Sequence, residues 1–236
     1  MKRYTTLLFD ADHTLLDFDA AERAGLEKTF QRYGFPFGQE VKEFYRDLND
    51  RLWRDYEKGL VSREEVLYSR FRTVFDRFGY DADPYQFGEE YLDTLAEGSE
   101  VIAGSREMLQ AVKQSGHRMY IVTNGVEHVQ NKRLLDAGIR SYFDDVFVSE
   151  AAGAQKPKRA FFDYTFARIP QLVLDETLLI GDSLLSDMLG ANGAGIDSCW
   201  FNAKKQKNIT DAVPTYEVSD WKEFTQRFLI GSDTLR

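Results

Sequence analysis

Short, solidly apolar segments separated by helical patterns are the feature that most constrains the fold of this chain. Segments without apolar–polar alternation are typical of strands that are buried on both faces of a parallel sheet. Their alternation with helices predicts an α/β fold with a doubly wound parallel sheet. The predicted strands are Tyr4–Phe9, Arg118–Val122, Asp145–Val148, Leu178–Ile180 and Ser198–Phe201, and the predicted helices are Ser105–Ser115 (capped by its first residue), Val126–Ala137, Lys158–Arg168 and Ser186–Ala194.

The interval between the first two predicted strands is far longer than the roughly 30 residues of a β–α–β unit. Its apolar residues recur at helical spacing, and its first helix is predicted at Ala20–Tyr33. Ser62 and Glu65 form a capping-box sequence, and Asp83-Pro84 predicts another helix start. We therefore predict a small all-helical domain at residues 17–95, inserted into a core domain of residues 1–16 and 96–236. Aromatic residues in its helical stripes are expected to form its core.

Charge and cysteine content narrow the class of protein. The chain of 236 residues has 30 basic and 39 acidic residues, a formal net charge of −9. This balance argues against coating a nucleic acid, because no basic excess exists to neutralise phosphates. The single cysteine, Cys199, excludes an intrachain disulfide and a cysteine-rich zinc site. No apolar run reaches membrane-spanning length and the amino-terminal run is too short for a signal peptide, so we expect a cytoplasmic protein without a membrane partner. Oligomeric state is not readable from these features.

Two aspartates, Asp10 and Asp12, follow the first predicted strand directly. Ligands of open parallel sheets bind beyond the carboxyl ends of the strands, so these carboxylates lie where chemistry is expected. Packing explains two acidic residues two positions apart poorly, because charges are seldom buried without a partner. An ordinary turn with aspartate capping is the structural alternative.

The next two predicted strands are followed by groups that suit an anion. Thr123, Asn124 and Gly125 offer a hydroxyl, an amide and backbone N–H groups where a helix begins, which fits phosphate. Lys156 precedes Pro157, which we place at a helix start, so its ammonium is expected at the same edge of the sheet. Helix capping and a surface lysine are the structural alternatives.

A further acidic pair follows the fourth predicted strand. Asp182 comes directly after Gly181, which permits close backbone approach, and Asp187 lies near the start of the next helix. Capping of that helix is again the alternative. Taken together, the four strand ends supply several carboxylates, one lysine and a phosphate site. Hard oxygen ligands without a His or Cys cluster indicate Mg²⁺, which also reduces the repulsion between a nucleophilic carboxylate and a phosphate.

These residues resemble the four motifs of the haloacid dehalogenase (HAD) superfamily of phosphatases. The motifs are Asp10-Ala11-Asp12-His13-Thr14, Thr123, Lys156, and Gly181-Asp182 with Ser186-Asp187. The resemblance covers the whole chain and implies a Rossmann-like core with a C1-type helical cap. The segments FDADHTLLDFDAAE, TNGVEHVQNKRL and GDSLLSDMLGANGAGIDSCWFN are most similar to the noncanonical pyrimidine 5′-nucleotidases. His13 departs from the pattern, since many relatives have glycine there. The histidine removes no catalytic group, but it is expected to alter the floor of the pocket under the cap.

The resemblance implies a role for each acidic residue at the first and fourth motifs. Asp10 is expected to be the nucleophile that forms an aspartyl-phosphate, and Asp12 is expected to protonate the leaving oxygen and then deprotonate the attacking water. Asp10, the backbone carbonyl of Asp12, and Asp182 are expected to hold Mg²⁺.

The remaining motif residues are expected to bind phosphate or to orient other groups. Thr123, the Asn124 amide and Lys156 are expected to contact the phosphoryl oxygens, and Asp187 to orient Lys156 or a metal-bound water. The implied substrates are pyrimidine nucleoside monophosphates such as dUMP, dTMP, UMP and 5-substituted analogues, with nucleobase stacking on one or two cap aromatics.

Other functions stay open at this point. Sugar phosphates or other small phosphates are the nearest alternative substrates. A 2-haloacid dehalogenase would need neither Asp12 nor Asp182, and a non-catalytic phospholigand-binding protein is expected to have lost at least one motif. Of the residues outside the motifs, His117 and His128 are expected at solvent-exposed helix ends, Cys199 in the core, and Lys204–Lys207 in a solvated loop.

Overall fold

A parallel sheet forms the centre of the protein. The computed structural model describes residues 3–230, and within them six strands lie in the order β3-β2-β1-β4-β5-β6, all neighbours being parallel. The doubly wound α/β fold predicted from the sequence is confirmed. The strands are β1 (Thr6–Phe9), β2 (Arg118–Thr123), β3 (Asp145–Val148), β4 (Thr177–Gly181), β5 (Asp197–Phe201) and β6 (Tyr216–Val218).

The register aligns the carboxyl ends of the central strands. Phe9 of β1 is paired with Ile121 of β2 and with Ile180 of β4. Residues that follow these positions therefore leave the sheet at one edge. Successive side chains point to opposite faces, so Phe9 packs in one apolar cluster and Leu8 in another. Burial on both faces explains why these strands are solidly apolar.

The helices occupy two compact units of the chain. One unit comprises Met1–Phe18 and Ser99–Arg236, and the other comprises Asp19–Gly98. The first four helices are α1 (Phe18–Arg32), α2 (Gln39–Glu57), α3 (Arg70–Phe78) and α4 (Pro84–Leu95), with a π-helical turn at Glu65–Ser69. The other helices are α5 (Ser105–Gln114), α6 (Glu127–Asp136), α7 (Ser149–Ala152), α8 (Arg159–Phe166), α9 (Leu189–Ala194) and α10 (Trp221–Thr225), with π-helical turns at Leu184–Met188 and Gln226–Ile230 and 3₁₀ turns at Arg140–Tyr142 and Leu174–Glu176.

The unit Asp19–Gly98, called the helical unit below, forms its own aromatic core. Phe87 of α4 packs against Phe30 of α1 and Phe71 of α3, with ring centroids 5.0 and 4.9 Å apart. All three side chains are fully buried. The predicted capping box is present, since Ser62 N donates to Glu65 Oε2 at 2.7 Å and Glu65 N donates to Ser62 Oγ at 3.2 Å. None of the described helices has the length and apolar character needed to cross a bilayer.

Two predicted helix starts differ from the structure. Ser105 does not cap α5, because Gly104 is its N-cap and the Ser105 hydroxyl donates to the carbonyl of Leu15 at 3.2 Å. Pro157 is not the first residue of α8 either. Its peptide bond with Lys156 is cis, and the N-cap of α8 is Lys158.

Candidate active site

Asp10 lies at the carboxyl end of β1, where all four strand residues are buried. Its own side chain is only 10% exposed. Oδ1 accepts a hydrogen bond from Lys156 Nζ at 2.6 Å, and Oδ2 accepts one from the Thr14 hydroxyl at 3.4 Å. The first predicted carboxylate is therefore a buried, oriented group at the edge of the sheet.

Lys156 reaches this edge from the loop before α8. Its ammonium donates to Asp10 Oδ1 and Asp187 Oδ1, both at 2.6 Å, and to the carbonyl of Val122 at 2.7 Å. These three bonds use all three ammonium protons. The side chain is 1% exposed, so a lysine that sequence alone could place on the surface is instead a buried cation between two carboxylates.

Asp10, Asp182 and Asp187 form an oxygen cluster, with one carboxylate oxygen of each lying within 4.8 Å of the others. Asp187 is held by the loop after β4, where Ser183 N donates to its Oδ2 at 3.1 Å. A side chain at Gly181 would overlap the Asp187 carboxyl group, so only glycine permits this approach. The predicted residues of the first, third and fourth motifs are thus brought together.

Burial and the neighbouring charges of opposite sign act in opposite directions on the pKa values of Asp10 and Lys156. Burial raises the pKa of Asp10 to about 7; Lys156 opposes this rise, and the Asp187 charge adds to it. Burial alone would lower the pKa of Lys156, but the charges of Asp10 and Asp187 raise it above its usual value. A divalent cation fits this donor set, because the cluster offers only hard oxygen ligands and excess negative charge.

Thr123 and Asn124, the predicted phosphate ligands, both contact main-chain groups. Thr123 ends β2, is 1% exposed, and its hydroxyl accepts from Gly125 N at 3.1 Å. The Asn124 side chain faces the main chain of Lys156: Nδ2 donates to Lys156 O at 3.0 Å, and Oδ1 accepts from Lys156 N at 2.9 Å. In this structure the Asn124 side-chain amide holds the lysine loop, a role that the sequence reasoning did not assign to it.

Asp12 is contacted by two residues that the sequence reasoning missed. Gln130 Nε2 donates to Asp12 Oδ2, and Arg133 forms an ion pair with Oδ1. Gln130 and Arg133 lie on α6 and are 1% and 0% exposed. The sequence could have indicated them by their position, because they lie on the same buried helix face as the apolar residues Val129 and Leu134. Polar residues at such positions need partners.

Comparison with known proteins identifies the family. The model of the haloacid dehalogenase-like hydrolases matches residues 7–201. The chain belongs to this family. The resemblance inferred from the four motifs is confirmed, and so is the prediction of an enzyme.

Three relatives of this hydrolase are similar over nearly their whole length. It is 43% identical to the HAD-hydrolase YfnB of Bacillus subtilis, over 94% of each chain. It is 37% identical to the pyrimidine 5′-nucleotidase PynA of Streptococcus pneumoniae, over 93% of each chain. It is 31% identical to the pyrimidine 5′-nucleotidase YjjG of Escherichia coli, over 95% of this chain and 97% of that one. A crystal structure of YfnB bound to magnesium matches this hydrolase with a TM-score of 0.91 and 42% identity, over 95% of this chain and 98% of that one.

Four further residue positions or segments of this hydrolase were considered from the sequence. His128 is exposed, whereas His117 is half-buried and burial lowers its pKa, so only the former matches the expected exposure. Cys199 is buried in the core as predicted. Lys204, Lys205 and Lys207 are exposed, in line with a solvated loop.

Proposed function

We propose that this hydrolase is a Mg²⁺-dependent phosphomonoesterase that acts through an aspartyl-phosphate on Asp10. The observation that carries the proposal is the buried arrangement of Asp10, Lys156 and Asp187 beside Asp182. It supplies a carboxylate nucleophile, a cation fixed beside it, and oxygen ligands for a metal. A covalent intermediate divides hydrolysis into two displacements at phosphorus.

In the first displacement, a carboxylate oxygen of Asp10 attacks phosphorus and the bond from phosphorus to the ester oxygen breaks. Asp12 gives its proton to that leaving oxygen. In the second displacement, water attacks phosphorus while Asp12 takes up its proton, the Asp10–phosphorus bond breaks, and inorganic phosphate leaves. The charge of Lys156, the Thr123 hydroxyl and the Asn124 backbone amide stabilise the phosphoryl oxygens in both displacements.

Asp10, Asp182 and the backbone carbonyl of Asp12 would hold Mg²⁺, with Asp187 orienting its neighbours. The bound ion would neutralise charge between the carboxylate and the phosphate. A structure of the relative YfnB with bound magnesium supports this part of the proposal.

We propose pyrimidine nucleoside monophosphates as substrates, among them dUMP, dTMP, UMP and their 5-substituted analogues. Support comes from the two relatives named as pyrimidine 5′-nucleotidases, at 37% and 31% identity. The motif residues recognise only phosphate and metal, so base selectivity must come from elsewhere. We assign it to the helical unit, proposed as the cap domain. Dehalogenation is disfavoured, because that reaction uses neither a second carboxylate at Asp12 nor a metal ligand at Asp182.

The test is a panel of phosphate monoesters assayed with and without Mg²⁺, comparing dTMP, dUMP, AMP and a hexose phosphate by kcat/KM. We expect metal-dependent release of phosphate, fastest from the pyrimidine nucleotides. Asp10→Asn, which is nearly isosteric, should lose at least about 10⁴-fold in kcat. The control Asp175→Asn alters an exposed residue before β4, at the opposite edge of the sheet, and should retain wild-type activity.

Each result bears on a different part of the proposal. No hydrolysis of any monoester with Mg²⁺ would contradict the phosphatase. Full activity of Asp10→Asn would contradict the nucleophile, and equal rates on purine nucleotides or hexose phosphates would contradict the pyrimidine preference alone.

A further inference from the structure

The carboxylate of Asp12 is held by two donors from one helix. Gln130 and Arg133 are three positions apart on α6, so their side chains emerge on the same face. They bind different oxygens, Gln130 on Oδ2 and Arg133 on Oδ1. Donors on both oxygens fix the rotation of the carboxylate plane, which a single donor would leave free.

Burial makes this pair of contacts rigid. The Arg133 side chain is 0% exposed, whereas that of Asp12 is 22% exposed. A buried guanidinium requires a compensating charge, and Asp12 provides it. The Phe18 ring lies 5.7 Å from the Arg133 guanidinium carbon and covers it. Asp12 is therefore anchored by buried groups while its own side chain stays partly exposed.

Gly125 has a specific place in this arrangement. A Cβ atom built on Gly125 would overlap the Gln130 side-chain amide. The glycine at the end of the Thr123–Gly125 segment thus allows Gln130 to lie against the loop and reach Asp12. The same short segment contains the proposed phosphate ligands and admits a residue that contacts Asp12, the proposed proton donor.

We infer that Gln130 and Arg133 are positioning residues, which aim the Asp12 carboxylate at the leaving oxygen. This inference rests on the proposed function, in which Asp12 transfers the proton. The two contacts use one lone pair on each oxygen, and a carboxylate oxygen has two. A second lone pair on each oxygen is thus left for the transferred proton. Fixing the donor before substrate arrives removes an orientational cost from the transition state.

The inference is tested by leaving-group dependence. Arg133→Met removes the donor and retains an unbranched side chain, and Gln130→Met does the same at the second site. The substrates are dTMP, whose alkoxide requires protonation, and 4-nitrophenyl phosphate, whose phenolate requires little. The kcat/KM values report steps up to departure of the leaving group. We expect each variant to lose about 100-fold on dTMP and less than about 5-fold on the aryl ester.

Three controls separate positioning from a general structural role. Arg133→Lys keeps a cation and should recover part of the dTMP activity. Lys132→Met removes the adjacent, exposed cation of α6, which pairs with Asp136, and should behave as wild type. Circular dichroism and thermal unfolding show whether each variant is folded. If Arg133→Met does not fold, the test is made with Gln130→Met alone.

The outcomes distinguish this inference from the proposed function. If the wild-type enzyme hydrolyses neither ester with Mg²⁺, the proposed function itself is wrong. If the wild-type enzyme is active and folded Arg133→Met or Gln130→Met loses equally on both esters, or on neither, the positioning role is overturned. A selective loss on dTMP with partial rescue by Arg133→Lys supports it.

Discussion

Asn124 and Lys156 are joined by two hydrogen bonds, with the side-chain amide of Asn124 acting as donor and acceptor for the main chain of Lys156. The amide thereby makes the same two main-chain hydrogen bonds that a neighbouring strand would make, at a point beyond the end of β2. Asn124 follows β2, and Lys156 lies in the loop before α8. The position of the buried ammonium is thus set by the residue directly after Thr123.

Replacing Asn124 by Leu should lower kcat/KM on phosphate monoesters by about 10- to 100-fold. The leucine side chain cannot bond the main chain of Lys156, so the lysine is no longer held in place. Steady-state kinetics with a nucleoside monophosphate measure the loss. Asn192→Leu is a matched control, since Asn192 bonds the main chain of Val213 in the same two-fold manner, at 2.9 Å each, in another part of the unit. Equal losses in the two variants would show that any such bridge matters only for stability.

Lys156→Met should reduce the free energy of unfolding by about 3–5 kcal/mol, because it leaves Asp10 and Asp187 buried without their cation. Urea unfolding at neutral pH without added metal measures the change. Adding Asp187→Asn to this variant should recover part of the loss, since one buried charge is then removed. An exposed pair offers the comparison: Lys132→Met should cost less than about 1 kcal/mol. A similar cost for both lysines would contradict the buried role of Lys156.

His13 has a backbone φ of 58°, in the left-handed region that glycine adopts freely. This conformation explains why glycine suits the position at which His13 departs from the family motif. His13→Ala and His13→Gly both remove the contact of the imidazole with Phe18, whose ring centroid lies 5.2 Å away. The alanine variant should be less stable than the glycine variant by about 1 kcal/mol, measured by urea unfolding.

The same two substitutions, to alanine and to glycine, at a helical position are the control for His13. At Lys132, in the interior of α6, glycine should be the less stable variant by about 1 kcal/mol. If glycine and alanine rank in the same order at both positions, backbone conformation at His13 is not the cause of the difference.

Burial raises the pKa of the Cys199 thiol far above its usual range. In the unfolded chain the thiol ionises near pH 8.5, whereas in the folded protein it stays protonated. Stability is therefore lost as pH rises above about 8.5, by about 1.4 kcal/mol for each further unit from this group alone. Urea unfolding between pH 8 and 10 should show a shallower decline for Cys199→Ala. Parallel declines would contradict a buried, protonated thiol, as would rapid labelling of the native protein by a thiol reagent.

Strands that are apolar on both faces were predictable, because burial on both sides of a parallel sheet requires consecutive apolar residues, such as Leu8 and Phe9. β6 was missed because an edge strand of three residues, Tyr216–Val218, has too little length for a pattern. The π-helical turn at Leu184–Met188 was not predicted: the regular helix predicted there began only at Ser186, since apolar spacing differs little between the two helix types over five residues.

The acidic residues and the lysine of the site were predictable from their positions after strands, but their partners were not. Arg133 is far from Asp12 in sequence and becomes its neighbour only when β2 lies beside β1. The bonds of the Asn124 side chain were missed because its partner, the main chain of Lys156, leaves no trace in residue identity. Contacts to backbone groups and between distant elements require the register of the sheet, which local patterns do not contain.

The strand order has a consequence for synthesis of the chain. β1 carries Asp10 at the middle of the sheet, yet both of its neighbours, β2 and β4, come after the helical unit. When the ribosome has completed residues 19–98, β1 therefore still has two open edges. β1 gains its second neighbour only when β4 has been made as far as Gly181, and the acidic cluster is complete only with Asp187. The first residue of the cluster to be translated, Asp10, therefore stays without its acidic neighbours until the last one has been made.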